Sequence, residues 1–232
     1  AYDRSRDRLI VYGGIKSRSE SCEDTWEWDQ HKWTKIETSQ DSPGIRDHHA
    51  MAYDAAREKT VLFSGQNAKN EFLGDTWEWD GRRWRFLSAE GPIARSTHRL
   101  IYHDRMQRIS LISGWGKAEQ LNDFWLWNGE KWSEVTSSGP SARGATRLAY
   151  HQAQDQIVLF GGLVQRTKSD ETWISDGKSW HQAQVDGPSV RNVHGMAYDR
   201  QRERVVLYGG IGDNGRLSDL WEWDGAMWVK RK

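Results

Sequence analysis

Asp75-Thr76-Trp77-Glu78-Trp79-Asp80-Gly81, followed three residues later by Trp84, decides the fold of this chain because the same block appears in four other places. Its first tryptophan falls at Trp26, Trp77, Trp125, Trp173 and Trp221, in steps of 51, 48, 48 and 48 residues. A fixed period of that size marks a repeat architecture. Within the block, Trp77 and Trp79 alternate with Thr76 and Glu78, the period of two expected of a peripheral strand with one apolar and one exposed face. Asp80-Gly81, Asn128-Gly129, Asp176-Gly177 and Asp224-Gly225 tolerate the positive φ that a tight hairpin needs to lead into a further strand. The first copy has Asp29-Gln30 there and is expected to turn differently.

Working outward from the block, each unit reads Arg-x-x-His, then Met-Ala-Tyr-Asp, a polar turn, an apolar run such as Val61 to Phe63, a small pair ending in glycine, a variable loop, and the tryptophan block. That order predicts four short strands per unit, the second covered on both faces because its β-branched and apolar residues are continuous. The units run approximately 1–45, 46–94, 95–142, 143–190 and 191–232 in a single domain. Four-stranded antiparallel units of this length predict an all-β propeller of five blades. A linear solenoid needs polar faces at its ends, whereas the last copy keeps Val205, Val206, Leu207, Trp221, Trp223 and Trp228. A closed ring is therefore expected, with a piece of a six- or seven-bladed parent as the alternative.

Bulk composition removes several classes. Thirty-three basic and thirty-three acidic residues cancel, and no Lys/Arg run tracks phosphates, so nucleic acid is not an expected partner. Apolar runs of four to six residues fall far short of the roughly 20 that cross a bilayer, so a soluble chain is expected. The single cysteine, Cys22, excludes an internal disulfide framework and Cys-type structural zinc. Opening on Ala1-Tyr2-Asp3, in the middle of what later copies show to be a motif, the chain reads as a processed or excised segment. The stub is expected to pair within its own blade.

Taken together, the apolar residues before Gly13-Gly14, Gly161-Gly162 and Gly209-Gly210, the Asp-x-Trp strand that follows and the later tryptophan resemble the kelch family over nearly the whole chain. The resemblance implies a propeller used mostly for binding. Ser64-Gly65 and Ser113-Gly114 depart from the glycine pair, and Ser175 replaces the second tryptophan of the fourth copy. The family also contains an oxidase and sugar-mutarotating propellers, which implies a small-molecule enzyme with a site at the channel mouth as the alternative function. No catalytic spacing supports it here, and no cofactor or metal is expected.

Fourteen of the fifteen tryptophans hold repeat positions and are expected as interblade core; Trp115, at the start of a variable loop, is the exception. Arg46, Arg95, Arg143 and Arg191 precede the inner strands, with His49, His98 and His194 three residues later and Thr146 in the fourth copy. Equivalent histidines from different blades lie too far apart for ligand bonds of about 2 Å, so hydrogen bonding rather than metal is expected. The four arginines are expected to brace loops, with a cationic rim as the other reading. Subtracting the repeat leaves Arg99 and Arg147, where other copies carry Ala50 and Gly195. Both are expected at one mouth of the channel, where the variable loops should bring Phe72 and Trp115 beside them, with His48 on a neighbouring loop. Paired guanidinium forks there suit an acidic peptide or acidic sugar; an internal salt bridge to Asp47 or Glu119 is the competing reading. The expected function is a monomeric, non-catalytic scaffold for a protein, peptide or carbohydrate partner.

Overall fold

Each tryptophan block forms the third strand of a four-stranded antiparallel sheet, and the computed structural model, which describes residues 1–17, 20–38 and 41–231, holds five such sheets. Blade 1 comprises Tyr2–Asp3, Arg8–Ser17, Glu20–Trp28 and Trp33–Ile36. Blade 2 comprises Ala50–Asp54, Lys59–Phe63, Thr76–Trp79 and Trp84–Ser88. Blade 3 comprises Arg99–His103, Arg108–Ile112, Phe124–Trp127 and Trp132–Glu134. Blade 4 comprises Arg147–His151, Gln156–Phe160, Thr172–Ser175 and Trp180–Ala183, with a small hairpin, Leu163–Val164 and Thr167–Lys168, in its loop. Blade 5 comprises Gly195–Asp199, Arg204–Gly212, Gly215–Trp223 and Trp228–Arg231. The chain is an all-β propeller of five four-stranded blades. The Ala1-Tyr2-Asp3 stub supplies the first inner strand, with Tyr2 opposite Leu9. Among the described residues no helix is long and apolar enough to cross a membrane.

Strand register gives every blade a rear face toward the preceding blade and a forward face toward the next. In blade 2, Leu62 pairs with Trp77 and Thr60 with Trp79 on the rear, while Val61 pairs with Glu78 and Phe63 with Thr76 on the front. Four buried clusters join successive blades, one of them combining Ile10 and Tyr12 of blade 1 with Leu62, Trp79 and Trp84 of blade 2. A fully buried indole removes on the order of 200 Å² from water, worth about 5 kcal/mol gross. The second tryptophan of the block carries this burial, since Trp79, Trp127 and Trp223 are enclosed while Trp125 is only half-buried.

The alternation in the third strand does not leave a solvated face, as its periodicity suggested. Thr25, Thr76 and Thr172 are buried, and each hydroxyl accepts the indole N–H of the next blade's outer-strand tryptophan, at 2.9 Å from Trp84, Trp132 and Trp228 respectively. Glu27 accepts likewise from Trp79 Nε1 at 3.2 Å. These polar residues face a neighbouring blade, and indoles bring an N–H that must be satisfied when buried.

One expectation fails. The ring is not closed by packing between blades 5 and 1: no buried cluster, hydrogen bond or ion pair joins them among the described residues. Leu9, Val11 and Trp33 on the rear of blade 1 are exposed, as is Tyr208 on the front of blade 5, although their counterparts elsewhere are buried.

Candidate functional site

The variable loops and the starts of the inner strands share one end of the propeller, because Arg99 pairs with Ile112 and the chain then runs through Ser113-Gly114 into Trp115, which bridges back to Ser96. At this end Arg99 Nε donates to the Thr146 carbonyl at 2.9 Å, and Arg147 Nη1 donates to the same oxygen at 3.0 Å. Arg99 Nη1 also donates to His98 O at 3.0 Å. Both side chains are half-buried, and neither has a carboxylate partner among the described residues. The competing internal bridge is absent from this arrangement: Asp47 instead receives Ser21 Oγ at 3.0 Å and contacts the His48 ring, while Glu119 stands exposed. Burial lowers the Arg147 pKa from its ordinary value, as expected of a cation taken from water without an anion.

The four loop arginines leave the ligand-binding set. Arg46, Arg95, Arg143 and Arg191 are all buried, and each guanidinium holds the acidic residue two before the first tryptophan of its own unit. Arg95 binds Asp123 at 2.5 and 2.6 Å, Arg46 binds Asp75 at 2.8 and 2.9 Å, Arg191 binds Asp219 at 2.7 and 2.8 Å, and Arg143 binds Glu171. The same carboxylates accept the indole N–H two residues on, from Trp77, Trp125, Trp173 and Trp221. This shared acceptor is the physical content of the Asp-x-Trp motif. Burial alone would raise the Asp75 pKa, yet the Arg46 guanidinium holds it below its ordinary value; Asp219 is held down to about 2, first by Arg191. A cation already neutralised in the core has no charge left to offer a ligand.

Each histidine of the Arg-x-x-His motif turns its ring against the last aromatic of the preceding blade's second strand. His49 meets Tyr12 at 5.9 Å, His98 meets Phe63 at 5.5 Å and His194 meets Phe160 at 5.6 Å, all edge-on. Blade 3 ends that strand in Ile112, and Thr146 stands in the histidine position opposite it, its hydroxyl on Phe160 O at 2.9 Å. Burial holds His49 down to about 4 and His194 down to about 3, so these rings are neutral near pH 7. Among the described residues no group of His, Cys, Asp and Glu is arranged to hold a metal.

Phe72 and Trp115 each line a cleft that does not include the arginine pair. Phe72 lines a cleft of about 580 Å³ with Ile93, Ala94 and Leu121, and Trp115 lines a neighbouring cleft of about 410 Å³ with Val164 and Arg166. Glu119 edges both, and neither Arg99 nor Arg147 lines either. Arg18 and Ser19, in the first variable loop, lie outside the described residues. His48 is exposed and turned toward Asp47. The half-buried Trp115 lies over Gly144, where a Cβ would come 2.3 Å from its Nε1. A signal for this exists in the sequence: the residue after the loop arginine is Asp47, Ser96 or Asn192 elsewhere, but glycine in blade 4.

Sequence reasoning also missed a cavity of about 670 Å³ on the propeller axis, lined by inner-strand residues such as Met51, Leu100, Tyr150 and Met196. Its rim holds Tyr2, in the first inner strand, and Arg4, Asp104 and Arg200, on turns at the opposite end from Arg99. Arg4 of blade 1 reaches Asp104 of blade 3 at 2.7 Å. These residues occupy the polar turn, which the repeat alone marks only as a connection. Residues 3–145, from the first blade to the loop entering the fourth, match the family model described as the KLHDC2/KLHL20/DRC7 Kelch-repeats domain.

Proposed function

The chain belongs to the Kelch-repeat family, whose propellers are protein-interaction scaffolds, and from that premise we propose that this one binds an Asp- or Glu-bearing peptide at the Arg99–Arg147 pair. The observation that carries the reading is the convergence of two half-buried guanidinium groups on one carbonyl oxygen without a carboxylate between them. A carboxylate entering there would separate two like charges and accept from both forks, an interaction stronger than a neutral hydrogen bond. The backbone-bound ends of both arginines keep their planes oriented before any ligand arrives, which lowers the ordering cost of binding. A carbohydrate reading has no comparable support, because the exposed indoles, Trp26 and Trp33, lie in blade 1 away from the arginine pair and the others are committed to blade contacts or half-buried.

The test is thermal stabilisation by an acidic peptide panel. At about 100 times Kd, binding contributes about 2.7 kcal/mol, or roughly 5–11 °C for a chain of this size. Arg99→Ala with Arg147→Ala should remove the shift, and the Lys pair should keep part of it. If acidic peptides fail to stabilise the parent, or stabilise the Ala pair equally, the reading is wrong.

A further inference from the structure

We propose that Asn214 is a site of self-modification, where the chain converts a side-chain amide to a carboxylate without an enzyme, and that the fold exempts its chemical twin, Asn128. The sequence holds two Asn-Gly pairs, Asn128-Gly129 and Asn214-Gly215. Before glycine, the next backbone nitrogen reaches the asparagine side-chain carbonyl with least hindrance, because glycine has no Cβ and turns freely. In sequence the two pairs are equal.

The structure separates them. Asn128 opens the hairpin between the third and fourth strands of blade 3, and its Oδ1 accepts the backbone N–H groups of Glu130 and Lys131, both at 2.8 Å. Asp80, Asp176 and Asp224 take the same two bonds in blades 2, 4 and 5, so this side chain is part of how the hairpin turns. Gly129 is covered as well, since a Cβ there would come within 1.9 Å of Arg57 Nε. To react, Asn128 must give up both bonds and turn beneath the Arg57 side chain.

Asn214 is under no such restraint. It is the second residue of the two-residue connection between Arg204–Gly212 and Gly215–Trp223, outside the last register pair, Gly212 with Gly215. Asn214 and Gly215 are exposed, and the Asn214 side chain makes no hydrogen bond among the described residues. Gly215, at φ +113°, has no atom within 4 Å of the place a Cβ would take. Loosening one terminal pair frees the chain about 214–215, and hairpin tips open at low cost.

The reaction needs only water. The Gly215 amide nitrogen gives its proton to solvent and bonds to Asn214 Cγ; the Cγ–Nδ2 bond breaks, ammonia leaves, and a five-membered succinimide closes. Water then opens the ring. Breaking the bond to Cγ gives aspartate, and breaking the bond to the Asn214 backbone carbonyl gives isoaspartate, with the chain running through Cγ. Either product adds a negative charge next to Asp213, which pairs with Lys168 of the blade 4 loop at 3.0 Å. Isoaspartate also lengthens the turn that presents Asp213 to Lys168. The change falls at the end of the propeller that carries Arg99 and Arg147.

The test incubates the folded chain at mildly alkaline pH and digests samples with trypsin. Asn214 then lies in the peptide Val205–Arg216 and Asn128 in Ala118–Lys131. Fragment masses locate the acid formed, and an isoaspartyl methyltransferase marks the isoaspartate. Asn214 should convert roughly tenfold or more faster than Asn128, the factor expected if two net hydrogen bonds must first break. In the urea-unfolded chain the two rates should converge. Equal rates in the folded chain, faster conversion at Asn128, or an Asn214 that stays an amide while the unfolded chain converts would each overturn the proposal. A tenfold gap that persists in urea would also overturn it, since the fold would not be its cause.

Discussion

Trp132 and Trp33 occupy the same repeat position but not the same surroundings, and the difference can be measured. Trp132 is 7% exposed, lies 5.3 Å from both Phe63 and Trp127, and donates to Thr76 Oγ1 at 2.9 Å. Removing it to alanine forfeits on the order of 200 Å² of burial, about 5 kcal/mol gross at roughly 25 cal/mol per Å². The void is lined by blades that can only partly collapse, and the Thr76 hydroxyl loses its donor, so a net cost of about 3–5 kcal/mol is expected. Trp33 touches Trp28 at 5.5 Å and otherwise faces outward, so Trp33→Ala should cost about 1–2 kcal/mol, from the burial it retains and without a cavity behind it. Urea denaturation followed by far-ultraviolet circular dichroism, with slopes compared, gives both values on one scale. At about 2–4 °C per kcal/mol, the melting temperatures should drop by roughly 6–20 °C and by a few degrees respectively. Equal losses for the two variants would refute the assignment of Trp33 to an open face.

Four further outcomes are expected. Asp123→Asn leaves the buried Arg95 guanidinium without its counter-charge and should cost about 3–5 kcal/mol by denaturation, while adding Arg95→Met should recover part of the loss. Thr76→Val removes the acceptor of the Trp132 indole without changing shape and should cost about 1–3 kcal/mol; a neutral result would mean the N–H finds another partner. His49 and His194 are pushed down by burial from 6.5 to about 4 and about 3, so the unfolded chain binds their protons first. Their contribution is therefore complete above about pH 6.5 and is lost as pH falls toward 4 and then 3, on the order of 1–3 kcal/mol each; a flat urea midpoint between pH 7 and pH 4.5 would contradict it. Asp219 acts in a lower window, its share being present above its ordinary 3.8 and lost as pH falls toward about 2.

The strand order and the number of blades were legible because Trp77, Trp79 and Trp84 fix phase as well as period, and Asp80-Gly81 marks a hairpin that admits few alternatives. What the repeat could not convey was how faces pair across blades. Thr76 and Glu78 read as the wet side of a strand, since a sequence pattern shows polarity but not whether a partner sits opposite. The same gap hid the open seam: Leu9, Val11 and Trp33 have the composition of buried residues, and only the position of the neighbouring sheet reveals that nothing covers them. Arg99 and Arg147 were separable from Arg46 and its counterparts by subtraction alone, because a residue demanded by the repeat has a repeated partner and theirs does not repeat. Phe72 and Trp115 line clefts that Arg99 and Arg147 do not, an arrangement the sequence could not convey because loop residues carry no period from which to read direction.

An array parted at one seam unravels by different rules from a sealed one. To release a blade from a sealed ring, two interfaces must break together; here blades 1 and 5 are each held by one. Opening should begin at these two units and move inward, so backbone amides of Arg108–Ile112, in the central blade, should exchange with solvent most slowly. Anything that seats in the notch would therefore raise the protection of blades it does not touch.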